Sequence, residues 1–385
     1  MLLRVIFILI VLLVGCDKSY SLPINFTIIH SSNVWGETEP CGWPKNPLGG
    51  LARKASIIDE ETLKGNPVIV LDSGDLFFSK STLYADKDNI DEAKIRAEII
   101  VNCNNEMNHS AFSPGSRDFA LGLAYLKKLK DQSNFNFTSC NLFHQNTSDR
   151  IFDSYAIENI NGFKVGYIGA ASSFQKDSIL VKEPINEIKK IYNEISDKTD
   201  YIIVLFNGTA SDLKRLDKSN IDIDLILRSK GSSRASEHGG AENILTYEPG
   251  NKGKYLNKIE LSLTEINSEI VDLDLERKKV RQSTKHLKNK KKGDLNANLD
   301  ELYKDNLKIL DVINNHREII KASNERLDSA KNTIKSHKIG LNTKIDSKPE
   351  ILLIVDEGMA TIPKGPEMPD QKGRTPGDPH HGHDH

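Results

Sequence analysis

Between residues 24 and about 275, short apolar runs rich in β-branched residues alternate with amphipathic helical stretches, and this alternation restricts the chain more than any other feature. Residues 24–29 read as a strand, 48–61 as a helix opening at Gly49-Gly50, and 67–71 as a strand running into Asp72-Ser73-Gly74-Asp75. Helical patterns follow at 91–107 and 122–129, then strands at 137–140 and 152–157, the turn Asn161-Gly162, and an apolar run at 165–169. A helix at 184–195 leads to strands at 201–206 and 221–227, and 255–263 with 269–275 form a polar-alternating hairpin around Asn267-Ser268. Strands that are apolar throughout and separated by helices are buried on both faces, so the spacing predicts a layered α/β domain over 24–275.

The first fifteen residues carry one charge, Arg4, and then an unbroken apolar run. That run is too short to span a bilayer and has the anatomy of an export signal. Leu13-Val14-Gly15-Cys16 resembles the lipobox of bacterial lipoproteins, which implies cleavage before Cys16, acylation of that residue, and a linker over 16–23. Acyl chains contribute about 0.8 kcal/mol per buried methylene, enough together to hold a protein at a membrane without a transmembrane helix. The expected location is the bacterial cell envelope, on the periplasmic side or the cell surface. Cys41, Cys103 and Cys140 would then meet an oxidising compartment, with room for at most one internal bridge or for three buried thiols.

After residue 275 the texture changes. Residues 276–292 are almost all charged, and Lys288 to Lys292 precede a Gly293-Asp294 turn. Such a basic run is a solvated face or an attachment point for anionic lipid headgroups. From Leu295 a heptad runs through Leu299, Leu302, Asn306, Ile309, Ile313, His316, Ile320, Ser323, Leu327, Ala330, Ile334 and His337 to Leu341. Unbroken spacings of four and three predict one long coiled-coil-like helix of about 70 Å. Asn306, His316, Ser323 and His337 interrupt its seam, so it is expected to fold back on 276–292 or on the body, or to dimerise weakly, and the arm is where an envelope protein partner would bind. The whole of 276–345 is thus read as a helical arm. Residues 346–362 suit a short helix or strand, and 363–385 a disordered Pro/Gly/His-rich tail in which His380, His381, His383 and His385 offer a weak metal site.

Composition narrows the function. Lys plus Arg number 52 against 54 acidic residues, a net charge of −2, and aromatics make up 6%, so neither a global basic field nor stacking platforms point to nucleic acid. Four cysteines without Cys-x-x-Cys or Cys-x-x-Cys-His spacing exclude zinc ribbons and covalent haem.

The strand ends carry a further pattern. His30-Ser31-Ser32-Asn33-Val34-Trp35-Gly36, Gly49-Gly50-Leu51-Ala52-Arg53, Asp72-Ser73-Gly74-Asp75, Pro114-Gly115-Ser116-Arg117-Asp118-Phe119, Asn161-Gly162-Phe163, Phe206-Asn207-Gly208 and Ile223-Asp224-Leu225 occur in collinear order, ending at Gly253-Lys254-Tyr255. They resemble the 5′-nucleotidase branch of the calcineurin-like metallophosphoesterases. The resemblance implies a four-layer α-β-β-α sandwich and, in active members, two divalent metals held at strand ends. At the positions of the ligand motifs this chain has Asn33, Trp35, Asp75, Ser116, Arg117, Asn207, Lys230 and Ser232. Asp75, the metal-bridging position, is the one intact match. A single carboxylate among neutral oxygens is a poor holder of two divalent ions. The pair Arg117 and Lys230 is expected either to neutralise Asp75 or to bind an anion.

A narrower resemblance concerns residues 39–53, which are similar to exported nucleotidase-like proteins that accompany multihaem cytochromes. A second sulfur or selenium of that loop corresponds to Trp43 here, leaving Cys41 as a redox candidate. Three functions are therefore expected of the chain: a lipid-anchored pseudoenzyme with a binding or scaffolding role and no cofactor; a metal-dependent hydrolase of nucleotides or other phosphate esters; or an accessory, itself without haem, to a multihaem cytochrome electron-transfer system.

Overall fold

The computed structural model describes residues 21–42, 45–230, 241, 243–265 and 268–363. The expectations for the export signal, Cys16, Trp43, Ser232 and the histidine tail lie outside the described residues. In chain order, the strands of the two main sheets begin with β1 (Ile24–Ser31), β2 (Val68–Asp72), β3 (Ala111–Phe112), β4 (Asn136–Phe137), β5 (Tyr155–Ile160) and β6 (Phe163–Ala171). They continue with β7 (Tyr201–Asn207), β8 (Leu225–Ser229), β9 (Thr246–Tyr247), β10 (Tyr255–Leu263), β11 (Ile270–Asp272) and β12 (Asn332–Gly340). The main helices are α1 (Leu51–Leu63), α2 (Ile90–Glu106), α3 (Gly122–Asp131), α4 (Pro184–Ile195), α5 (Ala210–Asp217), α6 (Leu273–Lys290), α7 (Leu307–Ser329) and α8 (Pro349–Ala360).

One sheet has the order β11-β12-β10-β1-β2-β3-β4 and the other β9-β8-β7-β6-β5. Phe26 and Ile28 of β1 and Ile259 of β10 meet Val165, Tyr167 and Leu205 in a core between the sheets. On the outer face of the first sheet Ile29 and Val70 lie under Ala55, Ile58 and Ile100. On the outer face of the second, Ile168 and Val204 lie under Ile188 and Ile191. The apolar runs thus serve two cores at once, each side chain worth about 1.5–3 kcal/mol on burial, and the layers are α-β-β-α as expected. Local signals hold where they are strong. Asn161 and Gly162 take φ of 52° and 93° in the β5–β6 turn, and Pro184 opens α4 behind Glu183, whose side chain accepts from the Asn186 amide.

Four expectations are corrected. The predicted hairpin does not pair, because β12 lies between its two strands, antiparallel to β10 and parallel to β11. The long heptad helix is interrupted at residues 303–306 and ends at Ser329, and 332–340 is a strand. The physical reason is period: Asn332, Ile334 and Ser336 are buried while Thr333, Lys335 and His337 are not, an alternation that a heptad count passes over. Residues 276–345 are consequently not an appendage. Their helices form an antiparallel pair, α6 on α7, inserted in the chain between β11 and β12, and β12 itself belongs to the first sheet. The body also extends past residue 275 to α8, a helix rather than a strand, which packs on α1 and α2. Cys41, Cys103 and Cys140 are all free.

Candidate functional site

β1 and β2 run parallel with Ser31 opposite Asp72, so the loops leaving them emerge side by side. Asn33 and Trp35 donate their amides to the carbonyls of Gly74 and Asp75, at 2.9 and 3.1 Å. Asn33, Trp35, Asp75 and Lys230 all adopt left-handed φ, from 50° to 64°. Four non-glycine residues in that region around one sheet edge store strain there.

Asp118, in the short turn Ser116–Phe119, fixes this edge. Its Oδ2 accepts the amides of Asp75 and Gly115 at 2.9 and 2.7 Å, and its Oδ1 those of Leu76 and Phe77 at 2.8 and 3.0 Å. Glycine is required at 115: a Cβ there would lie 2.4 Å from both Asp75 Oδ1 and Asn207 Nδ2. The same contact shows how closely the two sheets bring Asp75 and Asn207 together. Asn207 Nδ2 donates to Ser229 Oγ at 2.7 Å, and Ser229 Oγ donates to the Ser73 carbonyl at 2.7 Å, stitching the two sheets at their edge.

The Asp75 carboxylate is buried and already engaged. Its Oδ1 accepts the Arg117 amide at 3.0 Å, and Arg117 Nε lies 3.7 Å from Oδ2. The guanidinium stacks 4.4 Å over the Trp35 ring, a contact that steers its planar fork. Lys230 is half-buried and donates its amide to Asn33 Oδ1 at 3.4 Å. Burial pulls its ammonium down, with Asp75 opposing and Arg117 adding to the shift. Arg117, not Lys230, is therefore the direct counter-charge of Asp75. Ser116 is half-buried beside them.

Behind this edge lies a buried polar array that the strand-end pattern did not reveal. Lys54 Nζ donates to Ser31 Oγ at 3.1 Å and contacts His109 Nε2 at 3.4 Å; Ser31 Oγ donates to Asp72 Oδ2 at 2.7 Å; His30 Nε2 meets Ser73 Oγ at 2.9 Å. Burial pushes Asp72 up to about 7 and Lys54 down to about 8, and burial with the nearby Lys54 charge pulls His30 down to about 3. The available signal was Lys54 itself, which falls on the apolar stripe of α1 with Leu51, Ala55 and Ile58.

The donor set does not fit a pair of divalent cations. Asn33 Nδ2 is spent on the Gly250 carbonyl at 3.1 Å, Asn207 presents one free amide oxygen, and any cation at Asp75 would face the Arg117 guanidinium. Among the described residues no group of three or more His, Cys, Asp or Glu is placed to hold a metal. Cys41 sits in the small ribbon Pro40–Cys41 with its thiol pushed up by burial and Glu37, the opposite of an activated thiolate.

No family model matches the chain. It is 26% identical over 198 residues to the 5′-nucleotidase of Vibrio parahaemolyticus, a match covering 46% of this chain and 32% of that protein. It is 24% identical over 203 residues to protein UshA of Escherichia coli, covering 49% and 34%. The match thus spans about a third of the length of these curated relatives. Among solved structures, the calcineurin-like phosphoesterase YfkN of Bacillus subtilis superimposes with a TM-score of 0.52 at 20% identity, over 64% of this chain and 87% of that one. The 5′-nucleotidase precursor of Thermus thermophilus gives 0.51 at 19%, over 62% and 52%.

Proposed function

We propose, from the premise that the α/β body is a calcineurin-like phosphoesterase domain of the 5′-nucleotidase type, that this protein is a lipid-anchored component of the cell envelope whose phosphoesterase site no longer catalyses and instead serves binding. The observation that carries the proposal is the Arg117–Asp75 contact. The carboxylate at the metal-bridging position of the family is neutralised by a cation of the chain itself. Around it stand Asn33, Asn207 and Trp35, which supply no further charge to hold a metal. Arg117 and Lys230 bring two cations of the chain to the Asp75 carboxylate, and a phosphate or carboxylate group is the ligand class they suit. No helix of the described residues is long and apolar enough to cross a membrane, so the anchor in this proposal is the acylated Cys16.

Metal analysis of purified protein, with phosphomonoesterase and nucleotidase assays, tests the reading. The chain used ends at residue 363, so that the histidine tail contributes no metal. Expected is less than stoichiometric manganese, zinc or iron and no turnover. One specific observation favours the hydrolase instead: Asn207 Oδ1 is buried without a partner beside Asp75, where it would complete a single-metal site with Asn33. Stoichiometric metal lost on Asp75→Ala, together with hydrolysis, would establish that second reading and overturn the first.

A further inference from the structure

The α6–α7 hairpin presents a surface that the phosphoesterase domain does not explain. Along α6, Arg277, Arg281, Lys285 and Lys288, with Lys292 just past its end, recur at spacings of four, four, three and four and are all exposed. That spacing puts them on one stripe of a helix about 27 Å long. On α7 three of the four basic residues are matched by acids: Arg317 with Asp300 at 2.8 Å, Lys321 with Glu325 at 4.0 Å, and Arg326 with Glu276 at 2.7 Å. Arg281, Lys285 and Lys288 have no carboxylate within ion-pair distance among the described residues, and Arg277 reaches only Asp274, at 3.9 Å.

The hairpin's far end exposes apolar side chains beside Lys292, Lys304 and Lys308, and it also carries the carboxylates of Asp294, Asp300, Glu301, Asp305 and Asp311. Leu295, Leu302, Leu307 and Val312 are 59, 42, 74 and 41% exposed. They are tied to the end of the stripe: Lys291 Nζ donates to the Leu295 carbonyl at 2.6 Å, Tyr303 Oη donates to the Lys290 carbonyl at 2.9 Å, and Lys292 Nζ lies 5.4 Å from the Tyr303 ring centre. At the other end, Glu276, Lys279 and Arg326 line a cavity of about 620 Å³ that Leu22 also lines. Cys16 lies six residues before Leu22, at most about 20 Å of extended chain.

We propose that the α6–α7 hairpin docks on an anionic lipid surface, with its basic stripe against the headgroups and its leucine-bearing tip in the interfacial layer. Charge complementarity selects an anionic partner. The exposed leucines select a lipid interface over nucleic acid, because a phosphate backbone offers isolated apolar side chains nothing to bury against, whereas the headgroup boundary takes both. The lipid-anchor reading supplies only the route by which the hairpin reaches the membrane.

The test removes that anchor. A chain starting at residue 17 keeps the whole described fold and cannot be acylated. Its cosedimentation is compared with vesicles of mixed phosphatidylglycerol and phosphatidylcholine and with vesicles of phosphatidylcholine alone, at low salt. Preference for the anionic vesicles is expected, and the triple variant R281Q/K285Q/K288Q should lose on the order of 100-fold in affinity, about fivefold per basic residue. The variant L302S/L307S should lose about tenfold. Because all five positions are exposed, circular dichroism should report unchanged helix content. Equal binding to both vesicle types, or a triple variant that binds like wild type, would overturn the proposal. So would duplex DNA bound as tightly as vesicles with L302S/L307S indistinguishable from wild type, which would identify a general polyanion site. None of these outcomes depends on whether the phosphoesterase site is active.

Discussion

Asp118 offers the sharpest test of how the candidate site is built. Its two oxygens accept four backbone amides, from Asp75, Gly115, Leu76 and Phe77. Burial and the neighbouring Asp75 carboxylate push the Asp118 carboxyl upward, while the amides of Phe77 and Gly115 pull it back. The geometry decides for the charged form. Four donors aimed at two oxygens occupy both lone pairs of each, so a proton on either oxygen would face an N–H. Asp118→Asn keeps the size and leaves one acceptor oxygen, turning an NH₂ group against two amides. Hydrogen bonds to a charged acceptor are worth about 1.5–3 kcal/mol each, so losing two costs about 3–6 kcal/mol, a large part of the stability of an ordinary domain. In a urea titration with a slope near the upper end of about 1–3 kcal/mol/M, the midpoint should fall by about 1–2 M. A midpoint within about 0.3 M of wild type would mean that Asp118 is protonated in the folded protein, with the amide a faithful replacement, and the argument from lone pairs would be refuted.

Three further predictions concern charge. Asp72 is raised by burial from 3.8 to about 7, so its contribution to stability is fully present below pH 3.8 and is lost as pH rises through 7. The stability advantage of wild type over Asp72→Asn should therefore shrink by about 1.4 kcal/mol per pH unit between about pH 4 and 7, and a difference that stays flat with pH would reject a buried, neutral-leaning Asp72. Arg117→Ala strands the buried Asp75 and should cost about 3 kcal/mol, with at least about 1 kcal/mol of coupling to Asp75→Asn in a double-mutant cycle. Lys230→Ala should cost less than about 1 kcal/mol, because Asp75 keeps its Arg117 contacts; additive effects of Arg117→Ala and Asp75→Asn would reject the pair.

What was legible in the sequence follows the range of the force that fixes each feature. The runs that became β1, β6 and β7 face a core on each side, and their continuous apolar character says so without reference to any partner. Pro184 and Asn161-Gly162 act within one turn, and both read correctly. The fate of 332–340 depends on the exposed edge of β10, whose residues are about 75 positions away. Nothing within the segment outweighs a heptad that happens to place Ile334 and Leu341 in register, so a local period reading fails there. Over 309–327 the same heptad succeeds, since Ile313, His316 and Ser323 do face α6, with His316 Nδ1 3.1 Å from Ser283 Oγ.

The site divides along the same line. Which residues occupy the strand ends could be read from the collinear motifs, because parallel strands deliver their termini to one edge. Which of those residues touch could not. Arg117 reaches Asp75 because the Ser116–Phe119 turn is tied by the Asp118 carboxylate to the amides of residues 75–77, a bond set that spans two loops. A carboxylate that accepts four amides is invisible in the sequence as anything but one more Asp. Yet it sets the distance at which a cation of the chain meets the Asp75 carboxylate. The Asp118 bond set and the Arg117–Asp75 contact are therefore parts of one arrangement at this edge. In the proposed binding role, Asp118 is the residue that holds the Arg117 guanidinium against the Asp75 carboxylate.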